Sequence, residues 1–466
     1  MTDVSQVRQD DVLPARSLAM VGGPLGRHAS ARAASWAATV VPLLFAGVGT
    51  MAAGVLERSH CIQKGWAGSD QFWHACFSDL PALYQLGGLH DGLASFVGGG
   101  GARTDHPVLT GSAMALLGGL VPDGSFLDQT RWYFGLWAVL ATLLVVAMVW
   151  LTAASRPRHA ADAAALALSP VLLLSGLVSA DVLGVALTAV GIWAWARRRP
   201  VLAGVFLGLA VTARTYPVLL LVALALLALR TGRWPAVGRA AAAAVATVAV
   251  VLLPFVVANP RAILRPYAAW WHSEAGLGSP WMVPQLLGSP LPAGAVTLLA
   301  VVGMVVAVLL GMLFALSTWR RPTLAEVAVV LVGVVLVTGK SFPVQSSLWL
   351  VPLVALCGVR WRDQLVWAGA EAAHFIAVWL YVGGLSKPDR GLPPGWYLAF
   401  LVVRVLAVGY LVLRVWHSAA LRDEAPETDG PSGRDGAVPD PDSDAVVDEL
   451  AGDFTDAPDR LLVRLG

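Results

Sequence analysis

The chain is 466 residues long, 57% apolar and only 13% charged, with a formal net charge of +2. Soluble domains carry roughly 25% charged residues, so these proportions exclude a soluble globular protein, and no nucleic-acid partner is expected. They point to an all-α, polytopic protein of the cell membrane, in contact with membrane lipids.

Taken in chain order, residues 1–34 are polar and place Arg16, Arg27 and Arg32 ahead of an apolar run, Ala34–Val55. A cleaved signal peptide begins its apolar stretch much earlier. The run therefore reads as a retained first span with a cytoplasmic N-terminal segment before it. Basic clusters mark the cytoplasmic side. Here they are Arg156/Arg158, Arg197–Arg199, Arg230/Arg233/Arg239, Arg320/Arg321, Arg360/Arg362 and Arg414/Arg422. Placing all of them inside predicts spans near 35–55, 131–153, 161–178, 181–196, 201–213, 215–229, 240–258, 294–318, 323–339, 346–360, 364–384 and 396–416. That is about 12 crossings, with both termini cytoplasmic. Several fall short of the roughly 20 residues of a perpendicular span, so they must tilt or be covered by neighbours.

Three regions follow: 1–34, a cytoplasmic segment; 35–416, a membrane domain with long outer loops 56–130 and 259–293; and 417–466, a tail. Thirteen of the thirty acids lie from Asp423 onward in a Pro/Gly/Asp-rich stretch, which predicts an acidic, disordered cytoplasmic tail. In the first loop, His106–Val121 and part of 74–96 are expected as helices lying at the outer interface. With no soluble catalytic domain in view, any chemistry belongs at the outer membrane–water boundary.

Cys61 and Cys76 flank one stretch of that loop and are a possible disulfide if it faces an oxidising exterior, with two free thiols as the alternative. Asp79 lies just beyond. If Asp105, His106 and Asp181 gather at the same level, Asp79 suits a general base, which must reach the proton of an attacking hydroxyl; otherwise it is a solvated loop acid. Arg214 and Tyr216, in Arg-Thr-Tyr-Pro, sit at the outer tip of a helical hairpin. An arginine facing lipid is costly, so Arg214 either points into a cavity and meets a phosphate, or snorkels to headgroups. Lys340 and Gln345 could join a phosphate or sugar site, with snorkelling as the equal reading for Lys340.

Glu371 lies inside the apolar stretch Val366–Tyr381, with His374 on the same face. It is either a structural partner of another side chain or a substrate contact. Trp270, Trp271 and Trp281 could stack on a sugar or anchor the interface, and His272 could touch the substrate. No P-loop, metal-spaced Cys/His cluster or Gly-x-Ser-x-Gly elbow is present, which argues against an ATP-driven transporter and a soluble-type hydrolase.

Cys-Phe-Ser-Asp79 with Pro-Ala-Leu-Tyr84, Asp105-His-Pro-Val-Leu-Thr-Gly111, Arg214-Thr-Tyr-Pro217, Lys340-Ser-Phe-Pro-Val-Gln345 and Trp367-Ala-Gly-Ala-Glu371 occur in that order. Together these blocks resemble the actinobacterial branch of glycosyltransferase family 87, over roughly residues 35–415. The resemblance implies a GT-C-like helix bundle with interfacial helices in a long first outer loop. It also implies a mannosyltransferase that moves mannose from polyprenyl-phosphate mannose to a lipid-linked or lipoglycan acceptor outside the membrane, with inversion. By this likeness Asp79 takes the catalytic position, Asp181 the acid of the second outer loop, and Arg214 the basic residue before Tyr-Pro. Phe77 stands where Tyr is expected, and Asp105-His106 where Glu-Tyr is expected. No metal or cofactor is required; a divalent ion beside Asp79 and Asp181 stays open. The rival readings are a secondary transporter or flippase of a polyprenyl-linked lipid, for which related halves would be expected, and a non-catalytic scaffold.

Overall fold

A computed structural model describes residues 35–421 and 448–463; the reading of 1–34 as a cytoplasmic segment lies outside them. Among the described residues all regular secondary structure is helical, with no strand. Six helices are long and apolar enough to cross a membrane: α1 (Trp36–Glu57), α4 (Phe126–Ser155), α8 (Trp234–Ala258), α10 (Ala293–Ser317), α12 (Trp361–Ser386) and α13 (Pro394–Leu421). Between them lie shorter helices: α2 (Asp79–Leu86), α3 (Val108–Gly118), α5 (Asp181–Ala196), α6 (Pro200–Ala213), α7 (Val218–Thr231), α9 (Pro260–His272) and α11 (Leu324–Thr338).

Local chemistry sets many of the boundaries. Ser35 and Ser125 cap α1 and α4 through their hydroxyls. Thr323 and Glu326 form a reciprocal capping box on α11, satisfying two backbone donors that would otherwise lack partners in an apolar setting. Gly232, at φ 74°, closes α7 in a left-handed conformation that suits glycine.

Helices of 14–16 residues reach only about 21–24 Å at 1.5 Å per residue, less than the roughly 30 Å hydrocarbon core. They survive by burial. Residues Leu324–Gly333 of α11 are all buried, whereas α8 and α10 expose Val245, Val250, Val257, Leu298 and Leu309 on the periphery. Apolar surface drives little helix association against lipid, so close packing of small residues carries it. Gly204 and Gly208 of α6 meet Ala240 and Ala244 of α8; a methyl group at Gly204 would lie 2.0 Å from the Ala240 carbonyl oxygen.

Three expectations need correction. The stretch expected as a span at 161–178 is broken, with a 3₁₀ segment Pro157–Ala163 and short helices Ala164–Ala167 and Pro170–Ser175. The stretch 346–360 is likewise a 3₁₀ turn, Val344–Trp349, followed by Val351–Cys357. Pro170 and Pro352 each open one of these helices, where a missing N–H costs nothing. Third, residues 448–463 of the tail are folded onto the bundle. Leu450 and Phe454 are buried, and Phe454 packs on Trp195. Asp459 binds Arg230 at 2.7 Å, while Arg321 donates to the Phe454 and Ala457 carbonyls. The averaged composition hid a short apolar motif matched to arginines at one end of the bundle. Residues 417–421, also expected as tail, continue α13; the rest of the acidic tail lies outside the described residues.

Candidate active site

At the bundle end opposite that docked tail, the first loop folds back over α4, α5 and α6. Cys61 and Cys76 are bonded, with sulfurs 2.05 Å apart. Trp66 Nε1 donates to the Cys76 carbonyl at 3.1 Å. Just beyond, Ser78 donates to the Leu177 carbonyl and the Asp79 backbone N–H to the Val178 carbonyl. These bonds dock the first turn of α2 onto the segment leading into α5 and set two acids, Asp79 and Asp181, beside one another.

Their surroundings differ. Asp181 is 2% exposed and both oxygens are taken. Oδ1 accepts from Ser179 Oγ at 2.6 Å and from Arg214 Nη2, and Oδ2 accepts from Trp349 Nε1 at 2.9 Å. Asp79 is only partly buried, and its one side-chain contact is a long 3.5 Å bond from Gln345 Nε2 to Oδ2. Burial first, and then the negative charge of Asp181, push the Asp79 carboxyl up to about 6, with Arg214 pulling the other way.

Arg214 occupies the turn between α6 and α7, its stem lying over Gly184 of α5. Besides Asp181 it bonds His106 Nδ1, 2.8 Å from Nη1. A guanidinium only donates, so Nδ1 accepts and the neutral ring carries its hydrogen on Nε2. Burial, reinforced by the Arg214 charge, lowers His106 to about 3 and keeps it neutral. Two buried donors at this node have no protein partner: His106 Nε2 and Arg214 Nε. α3 steadies the turn, since Thr110 donates to the Ala213 carbonyl at 2.8 Å. The arrangement therefore offers one lightly bonded carboxylate able to take a proton, beside a fixed cation with N–H groups still free to donate.

The other candidates lie elsewhere or are already engaged. Tyr216 donates its hydroxyl to Thr188 and stacks on Trp349, ring centroids 4.5 Å apart, so it props Trp349 behind Asp181. Asp105 is exposed, although its neighbour His106 turns inward. The Lys340 ammonium has three acceptors, the Trp270 and Trp271 carbonyls and Thr297 Oγ1, at 2.8, 3.1 and 2.9 Å; it ties α9 to α10 instead of extending the Arg214 cluster. Trp271 and His272 line a separate cleft of about 450 Å³ against Thr297, Leu298 and Val301. Glu371 accepts from Trp367 Nε1 and from Arg404 Nε at 2.8 Å, well inside the bundle. Ser179, Trp349 and Arg404 were not singled out in the sequence. Trp349 lies four residues after Gln345, and an arginine inside the apolar run of α13 was the sign that Glu371 had a partner.

Fold and site define a helical membrane protein with a basic and acidic cluster at one end of its bundle, where an activated hydroxyl and an anionic leaving group could meet. The model of glycosyltransferase family 87 matches residues 110–339. The chain belongs to that family and is a membrane glycosyltransferase. The matched stretch holds Asp181, Arg214 and Tyr216; Asp79, His106 and Gln345 lie outside it. No curated protein matches the chain in sequence.

Proposed function

We propose that this glycosyltransferase moves a sugar, mannose on the family resemblance, from a polyprenyl-phosphate donor to a lipid-linked or cell-envelope glycan at the outer face, with inversion. Asp79 takes the proton of the acceptor hydroxyl as its oxygen attacks the anomeric carbon. The bond from that carbon to the phosphate oxygen breaks, and the electron pair leaves with the lipid phosphate. Arg214, held by Asp181 and His106, faces the charge that grows on the phosphate. Fixed donors in a site shielded from water do this better than solvent, which must reorganise. The free N–H groups of Arg214 and His106 supply hydrogen bonds to phosphate or sugar. Protein cations answer the charge of a single phosphodiester, so the reading requires no metal or cofactor.

The observation that carries this reading is the asymmetry of the two acids: Asp181 is saturated with donors, while Asp79 keeps its carboxylate almost free at an acidity suited to a base near neutral pH. A free acid inside the bundle would favour a transporter, but both oxygens of Glu371 are engaged, by Trp367 and Arg404.

The test is transfer by the full chain reconstituted with labelled polyprenyl-phosphate mannose and a lipid extract. Label should enter a lipid product with the anomeric configuration opposite to the donor's. Transfer only from another polyprenyl-phosphate sugar would replace mannose. Transfer from none of them would remove the reading.

A further inference from the structure

The disulfide that tightens the first loop also brings together three side chains that are scattered in sequence. His60 lies on the short helix Ser59–Lys64 beside Cys61; Asp70 and His74 lie on the turn Asp70–Trp73 and its cap, two residues before Cys76. Asp70 and His74 are four residues apart with the His74 N–H bonded to the Asp70 carbonyl at 3.2 Å, so both side chains rise from one face of a helical turn. His60 completes the group from the other side. Its Nε2 is 2.5 Å from Asp70 Oδ2, and His74 Nε2 is 3.7 Å from Asp70 Oδ1. The imidazoles stack with centroids 3.6 Å apart. One ligand atom from each residue lies within 4.8 Å of the other two.

We propose that His60, Asp70 and His74 bind one divalent transition-metal ion of the zinc class. Two imidazoles and a carboxylate favour zinc, cobalt, nickel or copper over magnesium or calcium, which prefer all-oxygen shells. Tetrahedral zinc, with bonds of about 2.0–2.2 Å, sets its ligand atoms about 3.3 Å apart. Reaching that spacing requires the His60 contact to open, the His74 contact to close and the stacked rings to turn toward one point. The backbone beneath is already anchored: the disulfide joins the two segments, and Arg131 donates to the Ile62 and Gln63 carbonyls at 2.8 and 3.0 Å. The three side chains are between 32% and 50% exposed, so an ion and a completing water can reach them. Spacing along the chain did not reveal this group, because folding and the disulfide create it. A metal there would lock the stretch that leads, five residues after His74, to Asp79.

The experiment is zinc titration calorimetry on the full-length protein in detergent, stripped by chelator and carrying no histidine tag, with cobalt absorption as the second readout. One ion should bind per chain, cobalt should give a d–d spectrum of tetrahedral or five-coordinate form, and zinc should raise the unfolding temperature. His60→Ala and His74→Ala should each weaken binding roughly tenfold or more and abolish the zinc-dependent rise, while unfolding of the metal-free variants matches the metal-free wild type. Zinc affinity and cobalt spectrum unchanged in both variants would overturn the site. So would the absence of one-to-one binding by the wild type.

Discussion

Arg214 and Arg404 are both charges removed from water, and the molecule surrounds them differently. Arg404 is fully buried between α12 and α13. Its Nε meets Glu371, its terminal nitrogens meet the Phe342 and Pro343 carbonyls and Ser347 Oγ, and its plane lies 3.5 Å from the Phe342 ring centroid. Four protein acceptors leave it little to offer a ligand. Arg214, 15% exposed, has one carboxylate and one imidazole, an unpartnered Nε, and a neighbour in His106 whose Nε2–H also lacks a partner. A buried charge with its bonds complete is architecture; one with bonds left over can receive something. The two nodes share the 342–349 segment, which Arg404 grips from one side while Gln345 and Trp349 reach the two acids.

Breaking the saturated node should have the largest effect. Arg404→Ala leaves Glu371 buried without its counter-charge and should cost about 3–5 kcal/mol of stability, read as a lower unfolding temperature in detergent. Adding Glu371→Met should restore most of that loss. If the double variant stays as unstable as the single, the pair is not what holds the segment. Arg214→Met takes the counter-charge from buried Asp181, which keeps its Ser179 and Trp349 donors, so stability should fall there too; transfer should in addition fall roughly 10²–10³-fold, as for loss of an oxyanion-stabilising donor.

The readable part of this site follows from cost. Charged residues at the ends of apolar runs are expensive unless they meet partners, and Asp79, Asp181, Arg214 and His106 do converge. What stayed hidden were the partnerships. Lys340 sits at the end of a run as Arg214 does, and only the return of α9 shows that carbonyls consume it. Glu371 and Arg404 are 33 residues apart, a pairing that no helical spacing encodes. Composition mistook the folded stretch 448–463 for tail because its buried Leu450 and Phe454 vanish in an acidic average. Helix positions were legible to within a few residues, since apolar run length is a strong signal; the broken stretches at 157–178 and 344–357 were read as continuous because their prolines also suit first turns.

Two smaller effects sharpen the comparison. At Gly184 a methyl group would lie 2.9 Å from Arg214 Cγ and 3.2 Å from its Cβ. Gly184→Ala should therefore shift the guanidinium and lower transfer about tenfold, with little change in donor-independent stability. The smallest perturbation is pH. Asp79 must be ionised to accept a proton, and its carboxyl is raised to about 6. The rate should rise with pH, about tenfold per unit below 6, and level off above it. A profile flat down to pH 4.5 would assign the base elsewhere.

The most direct measurement is transfer by Asp79→Asn set beside its thermal unfolding. The Asp79 carboxylate has only one long contact, so the variant should unfold within a few degrees of the wild type. Its transfer should fall by roughly 10²–10⁴-fold, the usual contribution of a positioned base. A well-folded variant that transfers sugar at the wild-type rate would contradict the account, because the unsaturated acid would then have no part in the chemistry.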